Sequence, residues 1–302
     1  MLRFPKIIMP LLLVVGAAPV RPSARLTAGS EGSTDDADKA AQHATLRPAA
    51  AAAADIPFRN VDSDVEQRLL ELANQSRAQA AASPLTLDAG LSRAARAHAE
   101  AMVAAGRLSH QFLGEPSLPR RLATTSNLLL ERSGENVALD YNAAGAHQHL
   151  MLSPHHRENL LNPAYNVVGL GVVRSGDRMY IVQNFGHALP NYSLPEVKDR
   201  IAATVEDARH RAKRPSLARR DLPSANAAAC SMEQAEKLGT SPIHQLAQRY
   251  TVLTYISLHP DTLPSGDRAI ASRKLRGFSV GACYGRTATY PTGMYWVVLS
   301  LE

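Results

Sequence analysis

Aromatic side chains make up only 5% of the 302 residues, and the chain holds two cysteines and a single tryptophan. Two cysteines cannot build a disulfide-rich scaffold or a four-cysteine zinc site, though they can form one bridge. No apolar run reaches the ~18 residues a membrane-crossing helix needs, which excludes a polytopic membrane protein. There is no His-Glu-x-x-His, no Gly-x-Ser-x-Gly and no glycine-rich phosphate loop, so the commonest hydrolase and nucleotide chemistries have no local signature. Charge of either sign is also not in large excess: 33 Lys and Arg against 27 Asp and Glu leave +6. That surplus favours anionic surfaces without selecting one. What is present is ample core material, with 45% of residues apolar. At about 150 residues per domain, the length points to two domains.

The chain opens with Arg3 and Lys6, a short apolar stretch from Ile7 to Ala18, and the small residues Gly16, Ala17 and Ala18. This is the pattern of an export signal, with a second cleavage point at Pro22-Ser23-Ala24, and residues 1–24 are expected to be removed. No cysteine lies near the cut, so a lipid anchor on cysteine is not expected. Residues 25–60 are rich in Ala, Ser, Thr and Asp and end in the run Ala49 to Ala54. With almost no large apolar side chains they read as a flexible spacer. The expected location is outside the cell, in the periplasm or at the envelope, with no transmembrane span after processing.

From residue 61 the patterning becomes periodic. Ser63 with Glu66 reads as a capping box, and Val65, Leu69, Leu72 and Ala73 follow at helical spacing. A second helix is expected from Asp88 to Gly106, a third over 143–152, and a short fourth from Pro154 to Leu161 opened by Ser153. Ser109-His110 reads as loop, and the stretch 111–126 that follows is polar and proline-bearing. Val167–Val173 and Met179–Phe185 read as two strands joined by Ser175-Gly176-Asp177. Helices interleaved with an antiparallel hairpin predict an α/β layered sandwich.

Three side chains stand out. His110 follows a helix, Glu135 follows a glycine at the start of a segment, and His156 lies in the first turn of a helix. Side chains at element ends can converge from separate segments into one cleft. Two imidazoles and a carboxylate could ligate Zn²⁺ or a similar ion, or do general acid–base work with Glu135 as the base. Each could equally serve a structural purpose.

These residues carry a resemblance. Ser109-His110, Gly134-Glu135-Asn136-Val137-Ala138, Met151 to Pro163 with Ser153-Pro154-His155-His156-Arg157-Glu158-Asn159, and Val168-Gly169-Leu170-Gly171-Val172 follow one another in the order of the CAP superfamily signature. That superfamily comprises the cysteine-rich secretory, antigen 5 and pathogenesis-related 1 proteins, and the segment resembles its bacterial secreted members over roughly 65–185. The resemblance implies a three-layer α-β-α sandwich over 61–190. It also implies a cleft formed by His110, Glu135 and His156, with His110 and His156 as metal ligands where Zn or another divalent cation is bound. The fourth cleft position, a glutamate in many eukaryotic relatives, falls at Ser153, which removes one anionic ligand. His187 is a spare candidate, while His98 reads as a core residue and His147 and His149 as core or solvated.

The remainder, 196–302, reads as a smaller, shortened second copy of the same unit. Val197 aligned on Val65 places Ile201 on Leu69, Arg209 on Arg77 and Leu217 on Leu85, and Val280-Gly281 to Tyr295 parallels Val168-Gly169 to Tyr180. None of the cleft motifs recurs there. Cys230, on an expected helix, and Cys283, on an expected strand, should pair in an exported protein. The basic stretch Arg200 to Arg220 reads as a solvated face or a contact patch for wall polymer or anionic lipid. Nucleic acid is disfavoured because few aromatics are interleaved. The leading expectation is an exported protein that binds a small ligand or divalent metal in the His/Glu cleft. The alternatives are a metal-assisted hydrolase acting on wall or peptide substrates and an interaction protein associated with wall polymer or lipid.

Overall fold

The computed structural model describes residues 61–264 and 267–302. The expected export signal over 1–24 and spacer over 25–60 lie outside the described residues. The first module runs α1 (Ser63–Gln79), β1 (Thr86–Leu87), α2 (Ala89–Ala105), α3 (Leu118–Thr125), β2 (Leu129–Asp140), α4 (Ala143–Leu152), α5 (Pro154–Leu161), β3 (Val167–Ser175) and β4 (Arg178–Leu189). Its sheet has the order β1-β3-β4-β2, with β1 parallel to β3 and the other pairs antiparallel. Leu69 and Ala73 of α1, Ala146 and Leu150 of α4 and Leu160 of α5 pack on one face against Val168, Leu170, Ile181 and Phe185. Ala95, Ala99 and Met102 of α2 cover the other against Val137, Tyr180 and Val182, and α3 extends that layer through Leu122. The result is a three-layer α-β-α sandwich.

Local chemistry explains the element bounds, with one correction and one addition. The cap of α1 is Asp62, whose side chain accepts from Val65 N, and Ser63 is already helical. Glu66 instead reaches across to Arg96 and to the backbone N–H of Val172, so the Ser63/Glu66 pattern is no capping box. Asp88 caps α2 and Gly106 ends it in the left-handed conformation with φ 63°, as expected. The polar stretch 111–126, to which the sequence pattern assigns no element, contains α3. Its Pro119 sits in the first turn, where a missing N–H costs nothing.

The second module repeats the plan: α6 (Leu194–Arg211), β5 (Ala218–Arg219), α7 (Pro223–Ala235), α8 (Ser241–Ala247), β6 (Thr251–Ser257), α9 (Asp267–Ile270), β7 (Gly277–Gly285) and β8 (Met294–Leu301). Its sheet order, β5-β7-β8-β6, has the same parallel and antiparallel pairs in the same places. A buried arginine anchors each copy. Arg77 donates to the carbonyls of Ser83, Leu160, Asn162 and Tyr165 at 2.7–2.9 Å, and Arg209 to those of Pro215, Ile270 and Ser272. Neither guanidinium faces a carboxylate; carbonyl dipoles solvate the charge, and each arginine stitches its helix to the turn that follows it and to one segment distant in sequence.

Helix and sheet also meet alike. A Cβ on Gly169 would sit 2.1 Å from the Leu91 carbonyl carbon, and one on Gly281 2.1 Å from the Ala225 oxygen, so only glycine lets α2 and α7 lie this close. Two residues along β3, Gly171 makes a second close approach to Ala95. Two residues along β7 stands Cys283, joined to Cys230 of α7 by the expected disulfide.

One detail of the repeat differs from the sequence reading. Strand pairing matches Gly169↔Asn184 with Gly281↔Val298, which puts Tyr295 in the place of Ile181 rather than Tyr180. Tyr180 faces the α2 layer and Tyr295 the α6 layer; the shared Met-Tyr pair is one residue out of register, which reverses its side. The modules are joined by packing and by polar contacts. Leu129, the first residue of β2, is fully buried in the α6 core. Glu131 faces His187 Nδ1 of its own module at 2.8 Å and His259 Nε2 of the second at 2.9 Å. The hydrogen bond from His259, against the upward pull of partial burial and aided by His187, holds the Glu131 carboxyl below the ordinary carboxylate range.

Candidate functional site

Glu135 does not begin an element; it lies in the middle of β2, paired with Asn184 of β4. β2 pairs only with β4 among the described strands, so it forms an edge of the sheet. Alternation along a strand sends neighbours to opposite faces. Glu135 shares its face with Val137 and the α2 layer, whereas Asn136 donates to the backbone oxygen of His156 on α5, at 3.0 Å, and accepts from Asn159. The edge of one strand therefore supports His110 from one layer and His156 from the other.

The buried Glu135 carboxylate is fully engaged. Oε1 lies 3.0 Å from His110 Nδ1 and 4.0 Å from His98 Nε2. Oε2 accepts from Arg121 at 2.9 Å, and the Asn184 amide, turned nitrogen-first, lies 3.2 Å from it. A carboxylate can only accept, so a His110 proton sits on Nδ1 and the Nε2 edge is turned outward from a side chain 59% exposed. His156 is half-buried, and its pKa is lowered first by burial and then by the charges of His110 and His155. Near neutral pH the corner thus offers uncharged His156 beside a carboxylate-held His110.

Behind this pair lies a second shell that the sequence did not reveal. His98 is buried but not inert: Nδ1 faces Glu115 at 2.6 Å and Nε2 faces the Ser109 carbonyl at 2.8 Å. Glu115 also accepts from Phe112 N. Although burial pulls its carboxyl upward, the Phe112 N–H and then His98 hold it below the ordinary range. Arg121 of α3, only 8% exposed, spans Glu135, the His110 carbonyl and, at 3.5 Å, Glu115. The motif scan missed Arg121 and Glu115 because the stretch holding them carries little apolar periodicity. Ser153 opens α5 three residues before His156, but its side chain makes no cap bond. His147 bonds Ser76, His149 bonds Asp140, and His187 belongs to the Glu131 contact.

Glu135 supports His110 through Nδ1 rather than standing free as a ligand of its own. Both Glu135 oxygens and both His98 nitrogens are already committed, and no group of three or more His, Cys, Asp or Glu with metal-ligating geometry occurs among the described residues. Nor is any described helix long and apolar enough to cross a membrane.

Residues 70–185, which hold the edge-strand Glu–His arrangement, match the family model described as "Cysteine-rich secretory protein family". Two relatives come from Bacillus subtilis (strain 168). The chain is 30% identical to the uncharacterized membrane protein YlbC over 135 residues, 44% of this chain and 38% of that protein. It is 31% identical to the uncharacterized protein YkwD over 115 residues, 38% of this chain and 44% of that protein. The matched region therefore spans less than half the length of either. Among solved structures, an extracellular protein containing an SCP domain from Bacillus anthracis is 26% identical, with 41% of each chain covered and a TM-score of 0.38.

Proposed function

We propose that this protein is exported and binds a ligand at the free edge of β2, with His110 and His156 as the contact groups and Glu135 holding His110 in register. The observation that carries this reading is the buried Glu135 locked between Arg121 and His110, with the His110 ring exposed. Such an arrangement fixes a tautomer and an orientation, which a merely solvated histidine does not need. Export is supported by the disulfide, which persists in an oxidising compartment.

The same carboxylate–imidazole pair has the form of an oriented general base, which keeps hydrolysis of wall fragments as the second reading. Zinc is the weaker ligand class, since Glu135 is already neutralised by Arg121. The test is an NMR titration of the imidazole Hε1 signals with soluble peptidoglycan fragments and, separately, zinc chloride. Fragment binding should shift both His110 and His156 and vanish in His110→Ala/His156→Ala. Fragments that leave both signals unmoved would sink the proposal. Turnover of the fragments, lost in Glu135→Gln, would convert binder into enzyme.

A further inference from the structure

The positive surplus is not spread evenly. Residues 61–193 hold 11 Lys and Arg against 12 Asp and Glu, whereas 194–302 hold 15 against 10. Within the second module, the basic stretch Arg200 to Arg220 does not form one surface. Arg200 lies over the Tyr192 ring at 3.8 Å, Arg209 is buried, Arg219 pairs with Asp199, and Arg220 with Glu302. What remains is Arg211, Lys213 and Arg214.

A second basic run, Arg268, Arg273, Lys274 and Arg276, lies some sixty residues further along and is brought to the first by backbone chemistry. Arg209 donates to the carbonyls of Ile270 and Ser272, and Arg214 to that of Ala271 at 2.8 Å. These bonds clamp the loop after α9 against the end of α6. Seven cations then share one end of the module, six of them exposed, and among the side chains described, which leave out that of Asp267, no carboxylate forms an ion pair with any of the seven. A depression of about 540 Å³ beside Lys274 is lined also by Arg249, by Glu302, which pairs with Arg220, and by Tyr250, which packs on the core of α7 and α8.

We infer that this end of the second module is a docking surface for a polymer of repeating phosphates. Five of the seven are arginines, whose planar forks suit oxyanions. Clustered cations that must repel one another gain most from a partner whose anions repeat along a chain, through counterion release. A membrane is the poorer fit: none of the exposed large apolar side chains, such as Leu113, Leu152 and Leu238, lies in either run, so nothing there inserts among acyl chains. Neither run holds an aromatic residue on which a nucleobase would stack.

The test compares Arg211→Gln/Arg273→Gln/Lys274→Gln with Arg157→Gln/Arg178→Gln/Lys237→Gln, two triples of equal net charge that alter only exposed side chains. Binding of long-chain inorganic polyphosphate is followed by anisotropy across a salt series. The first triple should weaken binding at least about tenfold at 0.1 M salt and reduce the slope of log K against log salt by roughly three, about one per lost contact. The second triple should leave both within error. Equal losses from both triples, or no binding by the parent, would overturn the proposal. So would tighter, patch-dependent binding to vesicles containing 30% phosphatidylglycerol. Circular dichroism and melting curves establish that each triple is folded.

Discussion

The two modules share strand order, a buried arginine and a glycine seat for a helix, yet they spend the space between that helix and the sheet differently. In the first, His98, Glu135 and Asn184 meet there as a buried polar cluster completed by Arg121. The corresponding places in the second, fixed by strand register and the helix seat, are Met232, Thr254 and Val298. Met232 and Val298 pack with Trp296 in an apolar core. α8 stands between α7 and β6 as α3 stands between α2 and β2, but it supplies Ile243 and Leu246 to the core and no arginine. One backbone plan thus tolerates either a charged network or an oil-like filling at the same spot. Polar groups so deeply placed are costly unless fully paired, and the second module shows that the shared backbone plan does not require them.

The sharpest way to break the comparison is to remove the covalent tie that only the second module has. Cys230→Ala/Cys283→Ala opens a closure of sequence separation 53. On the chain-entropy account it should cost about 4 kcal/mol. Thermal unfolding with hydrogen-exchange probes in each sheet should show the loss in β7 and β8 first. Equal loss in β3 and β4 would show that the modules melt as one. Next in size, Arg77→Met and Arg209→Met should each cost about 3 kcal/mol by orphaning buried carbonyls. Arg77 should cost more, because it serves four acceptors against three. Denaturant midpoints decide it, and a larger loss at Arg209 would contradict the equivalence.

The smallest effect belongs to the imidazole corner. His156 has a lowered folded pKa, so the unfolded chain binds its proton more readily, and stability falls as pH drops below the ordinary histidine value of about 6.5. Burial lowers His147 in the same sense. Replacing His110 by Gln removes a neighbouring like charge and should raise the His156 pKa by a fraction of a unit, read from its Hε1 titration. An unmoved midpoint would place the two rings too far apart to cooperate.

The helices with strong apolar stripes, the β3–β4 hairpin and the disulfide were all legible, because periodicity and compartment chemistry act locally or leave a simple pairing. The cap of α1 was misplaced by one residue because Asp62, Ser63 and Asp64 all suit that role and only the backbone angle selects among them. α3 escaped because Leu118 and Leu122 alone supply its apolar side. Glu135 was found by its motif, but its mid-strand position was not, since Gly134-Glu135-Asn136 does not alternate like a half-buried strand. The basic surface was legible only in its first half for a different reason: Arg209 and Arg214 join it to the second run through carbonyls about sixty residues away, and carbonyls leave no trace in side-chain patterning.

Leu129 and Glu135 belong to the same strand, six positions apart, or roughly 20 Å at ~3.3 Å per residue. One end is sunk in the hydrophobic interior of the C-terminal half and the other grips an outward-facing imidazole ring. One continuous strand is therefore the covalent link between the core of the C-terminal half and the carboxylate that aims His110.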